Sequence, residues 1–165
     1  AQTWKLDAED WQPTNPYGTT GEAGTATTKV PVSVNLTGLK SWPNIPELAR
    51  ASGIGTYTTT FSLPSSWNNG KFGADLDLGQ VTDTFTMKVN GTVVPIDQIT
   101  GHVELGSFLK AGKNTLEVTV ATTLNNRLFA LDTAVAGRGV IQNYGLIGPV
   151  ILTPYAQAVV WEVKK

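Results

Sequence analysis

The chain contains no cysteine and a single histidine, His102. The first absence excludes disulfides, thiol nucleophiles and cysteine-held metals, and the second removes any histidine pair as a zinc site. Charge is scarce as well. Only 15% of the 165 residues are charged, and 12 basic against 13 acidic side chains leave a formal net charge of -1. Binding a phosphate backbone or an anionic bilayer needs clustered positive charge, so neither nucleic acid nor a membrane is an expected partner. No apolar run nears the roughly 18 residues of a membrane-spanning helix. The start, Ala1-Gln2-Thr3-Trp4, lacks the basic and apolar segments of a secretory leader, as expected of a processed mature protein or of a domain of a longer chain. Two glycosylation sequons, Asn35-Leu36-Thr37 and Asn90-Gly91-Thr92, suit a secreted, extracellular setting.

What is present is apolar and regularly spaced. At 41% hydrophobic, with five Trp, four Tyr and five Phe, the chain has the makings of one folded domain rather than a disordered segment. Its period is two. Val30, Val32, Val34 and Leu36 alternate with small polar residues, as do Tyr57, Phe61 and Leu63 within a row of threonines. Ala74, Leu76 and Leu78 alternate with Asp75 and Asp77; Phe85, Met87 and Val89, then Leu116, Val118 and Val120, repeat the pattern. Each run predicts a half-buried strand with one wet face, the signature of antiparallel sheets.

Turn residues agree with that reading. Asn90-Gly91 predicts a type I′ hairpin, whose two central residues need positive φ. Residues 110–114 read as the turn before the strand that follows, and prolines punctuate the remainder where a ladder donor is dispensable. Only residues 45–51 look helical, as one short turn. Residues 137–148 read as a long Gly-rich surface loop, and residues 14–28 as an extended, mobile connection. Seven or eight short strands in one domain predict an antiparallel β-sandwich, with an immunoglobulin-like sandwich or a closed barrel as alternatives.

An ordered series of motifs narrows this. Gly55, Tyr57, Phe61, Leu63, Pro64 and Trp67 open it; Asp77, Gly79 and Val81 follow; then come Val89-Asn90-Gly91 and the spacing Leu109, Gly112, Asn114, Leu116. The series resembles the galactose-binding-like jelly-roll, the sugar-binding domain of glycoside hydrolase family 2 and its relatives. Leu39, Trp42, Pro46, Leu48 and Ser52-Gly53 look like the accessory domain at the C-terminal end of large α-L-rhamnosidase-like proteins. Tyr144-Gly145-Leu146, Gly148-Pro149, Leu152 and Pro154-Tyr155 are similar to the strand that ends such domains. The resemblance runs from about Trp4 to Tyr155. It implies an all-β jelly-roll sandwich that accompanies a catalytic domain in a parent chain, and carbohydrate (a galactoside, a rhamnoside or a pectic polysaccharide) as its partner. It also implies a structural calcium near the chain ends, for which Asp7, Glu9 and Asp10 with Glu162 are the available carboxylates.

Sugar binding needs an aromatic face for the C–H side of a ring and planar amides, carboxylates or cations for its hydroxyls, carried on loops at the rim. Four loops supply them. Trp42 and Asn44 lie in one; Asp97, Gln98 and His102 in a second; Asn125, Asn126 and Arg127 in a third; Arg138, Gln142, Asn143 and Tyr144 in the fourth. Some of these residue types serve packing equally well. Trp4, Trp11 and Trp67 read as core or sheet-edge residues, Trp42 as either platform or core, and Arg127 as either a sugar contact or a buried arginine bonded to backbone carbonyls. Asp75 and Asp77 share a strand face about 6–7 Å apart, a separation that suits glycosidic chemistry, but the same alternation describes a solvated face. Non-catalytic carbohydrate binding is therefore the first expectation. An interdomain module with no sugar site, betrayed by a contiguous exposed apolar patch, is the second, and a small hydrolase the third.

Overall fold

The computed structural model describes residues 2–14, 27–69 and 71–158. One layer is a six-stranded antiparallel sheet. Its order is β2 (Thr27–Leu36), β1 (Trp4–Pro13), β3 (Gly53–Leu63), β9 (Gly112–Ala121), β6 (Thr84–Val89) and β7 (Thr92–Val94). The facing layer is split. β11 (Ile151–Ala156), β4 (Phe72–Asp77) and β8 (His102–Glu104) form three strands, and β10 (Gly145–Gly148) pairs with β5 (Gln80–Thr82). The sheets stay open, so the closed barrel is excluded and the chain is an antiparallel β-sandwich.

Alternation places the core where the sequence requires it. Leu6, Tyr57, Val118 and Met87 stand in register across β1, β3, β9 and β6, each at most 1% exposed. Leu76, Leu78, Leu105 and Leu146 close over them from the other side. The Asn90-Gly91 turn has φ of 53° and 81°, as a type I′ hairpin demands. Asn114, fully buried, explains the spacing around it. Its amide donates to the carbonyls of Lys110 (2.7 Å) and Gly112 (3.0 Å) and accepts from Asn90 Nδ2 (2.9 Å), tying the β6–β7 hairpin to the turn before β9.

Trp67 is buried and stacks on Phe72 at 5.6 Å, and Trp4 is buried. Trp11 lies half-buried at the sheet edge, with Lys29 Nζ 4.7 Å from its ring centroid. Three local expectations are corrected. Residues 45–51 do not form one helical turn; two short 3₁₀ turns, Trp42–Asn44 and Pro46–Leu48, each begin around a proline that presets φ. Residues 137–148 are not all loop, since they end in β10. Two helices, α1 (Asn125–Leu131) and α2 (Thr133–Ala136), follow β9 where no helix was expected. Of the predicted connection over residues 14–28, residues 15–26 lie outside the described residues, and Thr27 and Thr28 begin β2. Among the described residues no helix is long and apolar enough to cross a membrane.

Candidate functional site

The even-numbered side chains of β1 face inward, and the row Trp4, Leu6, Ala8 ends in Asp10, only 7% exposed. A buried carboxylate requires a partner. Arg127 of α1 supplies it, its guanidinium nitrogen meeting both carboxylate oxygens of Asp10, while Gln12 Nε2 donates to Asp10 Oδ2 at 2.7 Å. The Arg127 backbone N–H donates to Ser52 Oγ (3.2 Å). Arg127 is thus a buried structural arginine whose partner is a carboxylate, not backbone carbonyls.

The next residue back, Asn126, is fully buried. Its side chain donates to the Gln142 carbonyl and accepts from the Gln142 N–H, both at 2.8 Å, and so holds the return loop against α1 as a strand would. Asn125 Nδ2 donates to the Val140 carbonyl (2.9 Å). The Tyr144 hydroxyl accepts from the Asn126 N–H (3.2 Å) and shares a 2.7 Å bond with Thr123 Oγ1. Trp42 Nε1 donates to the Tyr57 hydroxyl (2.7 Å), and the Trp42 N–H to the Tyr144 carbonyl (3.1 Å). Ser41 Oγ donates to Asn143 Oδ1 (3.1 Å) and accepts from Asn44 Nδ2 (3.2 Å).

Trp42, Asn44, Asn125, Asn126, Arg127, Gln142, Asn143 and Tyr144 therefore meet in one polar rim, with exposed Arg138 two residues before Val140. The stacking role is corrected, however. Trp42 is 0% and Tyr144 1% exposed, so neither ring offers a face to a sugar. The indole fills a hollow left by two glycines: a Cβ at Gly55 would stand 2.6 Å from it and one at Gly145 2.7 Å. Asn126 and Arg127 direct their polar atoms inward. Asn44, Gln142 and Asn143 remain exposed, and among the described residues Gln142 Nε2, Asn143 Nδ2 and Asn44 Oδ1 have no protein partner.

The second loop lies elsewhere. His102 is exposed on β8, its Nε2 3.3 Å from Asp77 Oδ2. Gln98 brackets the backbone of Phe85, accepting from its N–H at 3.2 Å and donating to its carbonyl at 2.8 Å, and Asp97 caps the turn at Ile99 and Thr100. Those backbone bonds hold the Asp97 carboxyl below its ordinary range. Asp75 faces Glu104 across β4 and β8 on an outward, solvated surface. There the Tyr155 hydroxyl donates to Glu104 Oε1 at 2.5 Å, and that carboxylate pushes the phenol's pKa up.

The acidic set expected for calcium does not converge among the described residues. Asp7 meets Lys5 (2.8 Å) and Ser33 (2.7 Å), and Glu9 meets Trp11 Nε1 (3.0 Å) and Lys29 (3.2 Å). These partners hold both carboxyls below their usual range. Asp10 is taken by Arg127, and Glu162 lies outside the described residues. No group of three or more acidic or histidine side chains among the described residues is arranged to hold a metal. Ser41, Ser52 and Thr123 also belong to this end of the molecule, and nothing in the sequence pattern announces them. The role of Asp10 has a signal in the sequence, an acidic residue closing an alternating apolar row.

The same fold occurs within much longer sugar-processing enzymes. The rhamnosidase of Novosphingobium sp. PP1Y superposes with a TM-score of 0.69 at 26% identity, over 93% of this chain and 14% of the rhamnosidase. The GH2 β-galacturonidase of Eisenbergiella tayi, solved bound to galacturonate, gives a TM-score of 0.51 at 20% identity, over 93% of this chain and 23% of that one. The second likeness is one of fold alone. The chain thus spans a small part of each enzyme, as an accessory domain does. No protein-family model matches the sequence, and no curated protein matches it.

Proposed function

We propose that the chain is a non-catalytic accessory domain of a larger glycoside hydrolase and that its rim contacts carbohydrate through Asn44, Gln142, Asn143 and Arg138. The observation that supports this reading is the match of 93% of the chain to 14% of a rhamnosidase, beside a rim whose outward amides retain unpartnered donors and acceptors. With Trp42 and Tyr144 buried, the contacts are polar and the site is shallow. Three or four hydrogen bonds at about 1 kcal/mol each give about -3 to -4 kcal/mol, or a Kd of about 1 to 6 mM. Rhamnosides come first as ligands, followed by galactosides and galacturonate-containing pectic fragments. Calorimetric titration with these sugars is expected to give millimolar binding that Asn143→Ala with Gln142→Ala abolishes. No heat from any of them at tens of millimolar would end the sugar reading.

An extracellular setting belongs to the same proposal. Asn35 is exposed on the edge strand β2, whereas the Asn90 amide is committed to Phe108 and Asn114, so the first sequon is the one able to carry a glycan without loosening a turn. A second reading, an interdomain module with no sugar site, is favoured by one specific observation. Leu124, Leu128, Leu131 and Val140 are 50%, 41%, 38% and 73% exposed.

A further inference from the structure

Helix α1 is amphipathic in the wrong sense. At 100° per residue, Leu128 and Leu131 lie within about 60° of Leu124, while Asn126 points to the opposite side. It is the asparagine that is buried and the leucines that face out, each more than a third exposed. Val140, whose carbonyl Asn125 holds, adds a further exposed apolar side chain. Charge flanks this face rather than crossing it. Arg127 is neutralised by Asp10 and Asp132 caps α2, accepting from the Ala134 and Val135 N–H groups. Among the described residues the flanking charges are of both signs: the exposed Asp83, whose carboxylate accepts from the Thr123 N–H (3.3 Å) beside Leu124, exposed Arg138, and Arg50, which lies 5.8 Å from the Phe129 ring.

We infer that this leucine face is a docking surface for an adjoining domain of the same polypeptide, one presenting an apolar patch. The inference rests on the accessory-domain reading and extends it to a named surface. Area chooses the occupant. The exposed parts of four aliphatic side chains come to a few hundred Å², against about 800 Å² per partner in a standard stable complex. So small a contact does not hold a second copy or a free partner, but it suffices for a neighbour kept at the millimolar effective concentration of a short linker.

The test is hydrogen exchange on the full natural polypeptide, with and without Leu128→Glu, and with Leu128→Ala as the milder variant. The expected result is exchange at least 10-fold faster over residues 124–131 and in one segment outside residues 1–165, with β3 and β9 unchanged as the control for folding. A change confined to α1, or a natural polypeptide without another domain, overturns the inference. So does a concentration-dependent dimer abolished by the same substitution. Sugar titration of the unsubstituted protein separates the two claims: binding with unchanged exchange in the variants refutes the docking face alone, and absent binding with changed exchange in the variants refutes the sugar rim alone.

Discussion

Tyr57 shows how one side chain ties burial to proton chemistry. Its ring is fully buried, its hydroxyl accepts from Trp42 Nε1, and Gly145 (φ 97°) lies against it because no Cβ fits there. Burial pushes the phenol to a pKa of about 12, and the Trp42 bond opposes that shift only in part. In the unfolded chain a tyrosine titrates near 10. The neutral phenol is thus favoured by folding, and the unfolded chain releases this proton first. The stabilisation is complete below pH 10 and is lost as pH rises from about 10 towards 12, at up to about 1.4 kcal/mol per pH unit. Urea unfolding at pH 9, 10, 11 and 11.5 is expected to show that decline. In Tyr57→Phe the decline flattens, and stability at pH 8 falls by about 1–3 kcal/mol because the indole N–H loses its acceptor.

At the scale of elements, α1 depends on a contact with β1 more than 100 residues away in sequence. The helix is seven residues long, too short to persist by propensity, and its leucines turn outward. What holds it is the Asp10–Arg127 pair, with side chains 10% and 15% exposed, and the bracket that Asn126 makes around Gln142. Arg127→Met would leave a buried carboxylate uncompensated and is expected to destabilise by about 3 kcal/mol or more. Hydrogen exchange should show α1 opening first while β9 keeps its protection; equal exposure of both would contradict the latch. The same geometry explains what was legible in the sequence. Strands with period two were readable because one face of each is more buried than the other, fully in β6 and β9 and partly in β2. Helix α1 was not, since its apolar residues point to solvent and its buried face carries an asparagine, so no period of 3.6 announced a core. Nor was β10 legible from periodicity, being four residues with a glycine at each end; only the resemblance placed a strand there. The sequence named four loops, but which of them meet was not legible: three gather around Trp42, and the loop of Asp97, Gln98 and His102 lies apart. The burial of Trp42 was not legible either, because the hollow that takes it is made by Gly55 and Gly145, which are distant in sequence.

For the whole molecule, Trp42 is the residue that joins the layers. It belongs to neither sheet. Its indole packs over Gly55 of β3 and against Gly145 of β10, its Nε1 bonds Tyr57, and its backbone bonds Tyr144. The layers it bridges are unequal, six strands facing a split three and two, and an apolar groove of about 570 Å³ opens between Trp4, Phe61 and Leu116 on one side and Leu76, Pro149 and Leu152 on the other. Trp42→Ala removes the plug where two glycine backbones have no side chains to fill the gap, so the cavity cannot collapse. A loss of about 3–5 kcal/mol is expected, a large fraction of the roughly 5–15 kcal/mol that stabilises an ordinary domain. Trp42→Phe, which keeps part of the volume but forfeits the bond to Tyr57, should lose about half as much. Far-UV circular dichroism and tryptophan fluorescence during urea unfolding should report one coincident transition in the wild type, shifted down in both variants. A Trp42→Ala midpoint near that of the wild type would show that the layers adhere without the indole.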